Sequence, residues 1–240
     1  MSITKQSSFL SAEWRKLAIA NYIVDPAILL PYLPRHTELD LWKGNCYVSL
    51  IGFMFLKTKL KSIRIPFHSN FEEVNLRFYV RFNDNGTWKR GVTFIKEIVP
   101  KPALTLVANT IYGEKYETLP MKHDWSVDEK IIHVRYQWKK EKWNSISIEA
   151  GNTLLRISPG SDEDFITEHY WGYTRLNENQ TSEYEVRHPT WSTYDLKGYN
   201  IEVDFAKCYG KEFGFLSDRN PDSVMLAEGS EIEVMSGRKI

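Results

Sequence analysis

The 240 residues carry 31 Lys plus Arg against 31 Asp plus Glu, so no field of one sign draws the chain to nucleic acid or to an anionic membrane surface. Two cysteines, Cys46 and Cys208, are too few for a disulfide framework or a zinc cluster, which fits a reducing cytoplasm and marks both as buried small apolar residues. No segment approaches the ~20 apolar residues that span a bilayer, and MSITKQSSFLSAEW lacks a leader-like apolar run, so one soluble, cytoplasmic domain over residues 1–240 is expected.

In chain order, Ser11 is placed to cap a short helix through Lys16, and LAIANYIV (17–24) reads as a buried strand. Asp25-Pro26 restarts a short helix, since Asp is a good cap and Pro is tolerated at the first helical position. The runs 37–42 and 45–60 flank Lys43-Gly44, a hairpin turn, and IRIPFHSN is a loop. Residues 71–82 alternate strictly: Glu73, Asn75, Arg77, Tyr79 and Arg81 on one face, Val74, Leu76, Phe78, Val80 and Phe82 on the other. Asn83-Asp84-Asn85-Gly86 supplies a tight reversal, so RGVTFIKEIV (90–99) returns antiparallel. Pro102 opens a helix that Gly113 ends. Hairpins follow at 130–138 with 143–150, and at 170–175 with 182–191 after a short helix. DFAKCYGKEFGFL is expected as a last helix and SVMLAEGSEIEVM as a pair of strands around Gly229. Roughly ten strands and a few short helices give a mainly β chain, read as an antiparallel sheet closed or nearly closed on itself.

The polar face of 73–81 has two readings. It faces water on a half-buried strand, or it lines a pocket inside a barrel. In the second case Glu73 and Arg77, ~13 Å apart along the strand at ~3.3 Å per residue, contact different ends of one small ligand rather than each other. The six histidines form no HxH, HExxH or Cys/His pattern, and glycine-rich phosphate loops and GxSxG elbows are absent, so neither a metal nor a cofactor is expected. Aromatic residues make up 14% of the chain, more than a core alone recruits, and some are expected at a ligand. The candidate ligand set is Asn75 and Tyr79 beside Glu73 and Arg77, then His169, Trp171 and Tyr173 in HYWGY, and His188 with Trp191 in HPTW.

FEEVNLRFYVRF, RGVTFI, ANTIYGEKY, EHYWGYTR and HPTW together resemble the YqjF-like family of uncharacterised bacterial proteins over most of the chain. That family stands, by likeness of fold, beside acetoacetate decarboxylase, so the resemblance implies an antiparallel β-barrel of the acetoacetate-decarboxylase-like type with an internal pocket and a few covering helices. Fold likeness does not carry the reaction with it. The decarboxylase forms an imine on the first lysine of a Pro-Lys-Lys motif shortly after a Gly. Aligning Gly113 puts Lys115 at the proline, Tyr116 at the reactive lysine and Glu117 at its neighbour; aligning Pro120 puts Met121 at the reactive position and Lys122 beside it. Neither alignment keeps the nucleophile. The catalytic candidates are therefore Glu73, Arg77, Lys115 and Lys122: Arg77 for a carboxylate, Glu73 or His169 to move a proton, and the lysines as displaced amines. Three classes remain open: an enzyme acting on a small carboxylic or keto acid, a non-catalytic metabolite-binding or sensing module, and a structural or protein-interaction role. The expected partner is a small-molecule ligand, with no nucleic acid or membrane, and a homo-oligomer is compatible with the sequence.

Overall fold

The structure, a computed structural model, describes residues 8–111 and 113–240. The expected absence of a leader run falls partly on residues 1–7, and the end of the helix before Gly113 on Tyr112, outside the described residues. The first half runs β1 (Ser8–Val24), α1 (Pro26–Leu29), β2 (Thr37–Leu39), β3 (Cys46–Leu60), β4 (Ile63–Arg64), β5 (Phe71–Asp84), β6 (Thr87–Val99) and α2 (Pro102–Ile111). The middle holds β7 (Tyr116–Thr118), β8 (Met121–Val127), β9 (Ile131–Lys139), β10 (Trp143–Arg156), α3 (Asp162–Thr167), β11 (Trp171–Arg175) and β12 (Thr181–Arg187). Last come β13 (Ser192–Glu202), α4 (Phe205–Tyr209), a 3-10 turn over Lys211–Asp218, β14 (Ser223–Met235) and β15 (Arg238–Lys239).

All these strands belong to one sheet, in which β14, β1, β3, β5, β6, β11 and β12 are successive neighbours. A further pairing of β12 with β14, Val186 opposite Val234, brings that path back to its start. A sheet bent round in this way has an inner and an outer face, and both are buried. In β3, Tyr47, Ile51, Phe53 and Phe55 enter the inner core while Cys46, Val48, Leu50 and Met54 enter the outer one. The outer core is covered by the arm β13-β10-β9-β8 and by α4 with its 3-10 turn, through Phe205, Phe213 and Leu216. Gly52 interrupts the outer series of β3 because a Cβ there would lie 2.8 Å from the Tyr136 ring, which fills the gap from β9. Both cysteines are buried and unpaired, as expected.

The sheet departs from the sequence expectation in several places. It is mixed, since β6 runs parallel to both β7 and β11. Residues 11–16 are strand rather than helix: Ser11 to Arg15 pair with β14 on one side and with β3 on the other, and those two ladders outweigh a local cap signal. Residues 223–235 form one strand instead of two, with Gly229 at φ 78° where its backbone meets the Trp14 carbonyl. The last helix breaks at Gly210, φ 130°, and β8 and β13 were not foreseen. The 71–84 and 87–99 hairpin, the Asp25-capped α1 and the helix from Pro102 stand as read.

Candidate functional site

The inner face of β5 carries the polar residues that its alternation set apart, and it faces an internal cavity of about 300 Å³ instead of water. Glu73, Asn75 and Arg77 project into this space one after another, each at least nine-tenths buried. Opposite them, β6 contributes Glu97 through a bulge. Asn75 pairs with Glu97, but Arg77 pairs with Phe94, so Ile95 is the extra residue. Strict alternation would put Phe94 and Glu97 on opposite faces; the bulge sends Ile95 to the outer core and turns both others onto the cavity. Glu114 and Tyr116 come from the segment after α2, and Tyr184 from β12.

These groups form a tightly bonded floor. Asn75 Nδ2 and the Tyr116 hydroxyl each donate to Glu73, at 2.9 Å. Glu114 accepts from Thr174 Oγ1 at 2.6 Å and from the Tyr184 hydroxyl at 3.0 Å. Glu97 lies next to both carboxyls, and its Oε2 has no hydrogen-bond partner. Loss of hydration disfavours the charged form of all three acids. Burial pushes Glu73 up to about 7, against the pull of its two donors. Burial, then the charges of Glu114 and Glu73, drives Glu97 well above the usual carboxylate range, and burial raises Glu114 as well. Burial thus favours the protonated form of all three acids, most strongly in Glu97, while Glu73 near 7 is poised to give or take a proton at neutral pH.

Arg77 is different. Its side chain donates to the Ile166 carbonyl at 3.3 Å and leans on the Tyr79 ring, its Nε has no partner, and among the described residues no carboxylate comes within ion-pair distance. Beside it, His169 Nε2 faces Asp40 Oδ2 at 3.1 Å, and Arg90 Nε donates to the same oxygen at 2.7 Å. Asp40 accepts only, which leaves the His169 lone pair on Nδ1, buried and unpartnered. Burial outweighs Asp40 and lowers His169 to about 4, so its imidazole is neutral at physiological pH. The remaining walls are apolar and aromatic, among them Trp14, Phe53, Phe55, Phe71 and Leu104.

Of the residues singled out in the sequence, Glu73, Asn75, Arg77, His169, Trp171, His188 and Trp191 line the cavity. Tyr79 sits behind it, its hydroxyl bonded to Ser49 Oγ at 2.7 Å and its ring against His169. Tyr173 turns to the outer core and donates to Glu183 at 3.1 Å, because strand alternation sends it away from neighbouring Gly172. The structure does not bring Lys115 or Lys122 to the cavity. Their amines lie over the rings of Tyr32 and Trp143, at 5.0 and 4.5 Å, and the cations rest on the outside of the fold. Tyr116, which the alignment through Gly113 sets at the reactive-lysine position, points inward in their place. Glu97, Glu114 and Tyr184 were not singled out, since a bulge and contacts between distant strands leave no local pattern.

Residues 11–231 match the family described as "Uncharacterized conserved protein", DUF2071. The chain belongs to this family. It is 25% identical over 183 residues to the uncharacterized protein YqjF of Bacillus subtilis strain 168, a match covering 74% of this chain and 72% of YqjF. Among solved structures, acetoacetate decarboxylase of Legionella pneumophila is similar at a TM-score of 0.63 and 12% identity, covering 100% of this chain and 90% of that one. The enduracididine biosynthesis enzyme MppR, complexed with pyruvate, is similar at 0.63 and 12%, covering 99% and 93%. At this identity the likeness shows the fold: an acetoacetate-decarboxylase-like, mostly β chain with a large mixed sheet and few helices. Among the described residues no helix is long and apolar enough to cross a membrane.

Proposed function

We propose that the cavity binds a small organic acid bearing a carbonyl group, without forming an imine. The observation that carries this reading is Arg77: a buried cation, open to the cavity, with an unpartnered Nε and, among the described residues, no carboxylate within ion-pair distance. An isolated buried charge is costly, and a ligand carboxylate would neutralise it with charge-assisted hydrogen bonds. The Glu97 carboxyl, which burial holds in its protonated form, supplies a donor for the ligand's carbonyl oxygen. The pyruvate complex of MppR, in the same fold, agrees with an acid of this class. A cavity of about 300 Å³ with aromatic walls has room for more than a three-carbon acid, so the favoured ligand carries an apolar or aromatic tail.

Phenylpyruvate is expected to raise the thermal unfolding temperature more than pyruvate does. Arg77→Ala should abolish the shift, and Lys115→Ala and Lys122→Ala should keep it. An Arg77→Ala protein stabilised as strongly as the wild type would remove Arg77 from the site. Borohydride reduction in the presence of ligand should leave every lysine at its native mass, and an adduct would overturn the non-imine reading.

A further inference from the structure

The cavity sets a carboxylate base beside a second buried carboxyl among mostly apolar walls, and Glu97 Oε2 is left with nothing to bond. We infer that the site catalyses proton exchange at the carbon next to the carbonyl of its bound 2-oxo acid, with Glu73 as the base, held in place by the Tyr116 hydroxyl, and with the Glu97 carboxyl holding the enolate oxygen. This rests on the binding reading above and adds a reaction to it.

In the forward step the bond between the α-carbon and its hydrogen breaks and the proton passes to a Glu73 carboxylate oxygen. The electron pair moves into the carbon–carbon bond, and the carbonyl oxygen becomes an enolate oxygen. The reverse step returns a proton from Glu73 to carbon. Nothing is oxidised or reduced and no co-reactant is needed. Charge that develops on the oxygen among apolar walls is stabilised by a donor already in place, which is where an enzyme gains most.

The geometry divides the roles. Asn75 and Tyr116 hold the two oxygens of Glu73 at 2.9 Å each, fixing the carboxyl plane towards the cavity. The Tyr116 hydroxyl donates to Glu73 and is close enough to Glu97 to feel its charge as well. Arg77, two rungs along the same face from Asn75's neighbour Glu73, anchors the ligand's carboxylate at one end. Phe71, Phe55 and Phe53, at the other end by register, accept its tail. His169 is the competing base, but its pull-down to about 4 makes it a weak one at neutral pH, whereas Glu73 near 7 suits the task. The charged and titratable groups facing Glu73 are Arg77 on its own strand, Glu97 on β6, Glu114 and Tyr116 after α2, and Tyr184 on β12.

The test follows the benzylic protons of phenylpyruvate by NMR in deuterium oxide, corrected for uncatalysed exchange, with binding measured separately by thermal shift. Wild-type protein should speed deuterium incorporation, with a rate that rises through about pH 7 as Glu73 ionises. Glu73→Gln preserves the side chain's shape and should still bind, but lose exchange by roughly 100-fold or more. Tyr116→Phe should bind and lose a smaller factor. Wild-type binding without faster exchange overturns the proton-transfer inference and leaves the binding reading intact. Exchange undiminished in Glu73→Gln also overturns the inference, because the base would then be another group. Neither binding nor exchange overturns both.

Discussion

Arg77 concentrates the trade between stability and function in one side chain. A guanidinium nine-tenths removed from water gains a single carbonyl contact and an aromatic face in return for its hydration. Replacing even a buried ion pair by apolar side chains of similar volume is often neutral or stabilising by about 1–4 kcal/mol, and Arg77 has no ion-pair partner among the described residues to offset its desolvation. Arg77→Met is therefore expected to resist denaturant better than wild type when no ligand is present, by roughly 1–3 kcal/mol. Wild type alone should gain when phenylpyruvate is added. An Arg77→Met protein weaker than wild type without ligand would make the arginine a structural strut rather than a recognition group. Tyr116 makes the complementary point: where an imine-forming enzyme needs an amine, this chain has a phenol that can donate a hydrogen bond but cannot condense with a ketone.

At the level of strands, the site depends on how closely β11 and β12 approach. A Cβ on Gly172 would stand 2.1 Å from Cζ of Tyr184, so the tyrosine can lie across β11 only because that position has no side chain. Gly172→Ala should push Tyr184 off Glu114, cost about 1–3 kcal/mol in chemical denaturation through overpacking, and weaken ligand binding in parallel. Unchanged stability would mean that the ring has another place to go. The same elements show what a linear sequence discloses. The hairpin from Phe71 to Val99 was legible because period-two alternation and the Asn83–Gly86 turn are local signals, and Asn83 Oδ1 does accept from the Gly86 amide at 2.7 Å. That the polar face turns inward was one of two readings, and only pairing with strands 100 residues away decides between them. The bulge at Ile95 carries no Gly or Pro to announce it, so Glu97 stayed hidden on a face of mixed character. Strand pairing also erased the expected helix at residues 11–16, where two ladders satisfy the backbone that a cap would have served.

Across the whole molecule, buried acids and a buried histidine give stability a pH dependence of definite sign. Glu73 holds its proton up to about 7 when folded, against 4.5 when unfolded, so between those values the unfolded chain binds fewer protons and stability falls as pH rises. His169 acts the other way: its folded value near 4, against 6.5 unfolded, makes stability rise with pH over nearly the same window. Each is worth on the order of 3 kcal/mol, so these two largely cancel below about pH 6.5. Above that window the histidine has nothing more to add. Glu97, raised well past the ordinary range by burial and by its two acidic neighbours, continues to resist ionisation. With Glu73 and His169 offsetting each other, Glu97 and Glu114 set the slope: the denaturation free energy is expected to decline already from about pH 5 and to go on declining above neutrality, by about 1.4 kcal/mol per pH unit for each carboxyl whose proton only the folded state retains. Glu97→Gln, which cannot ionise, should make the decline shallower across the whole range from about pH 5 upward. A decline as steep in Glu97→Gln as in wild type would assign it to other groups and would place the Glu97 carboxyl in contact with water.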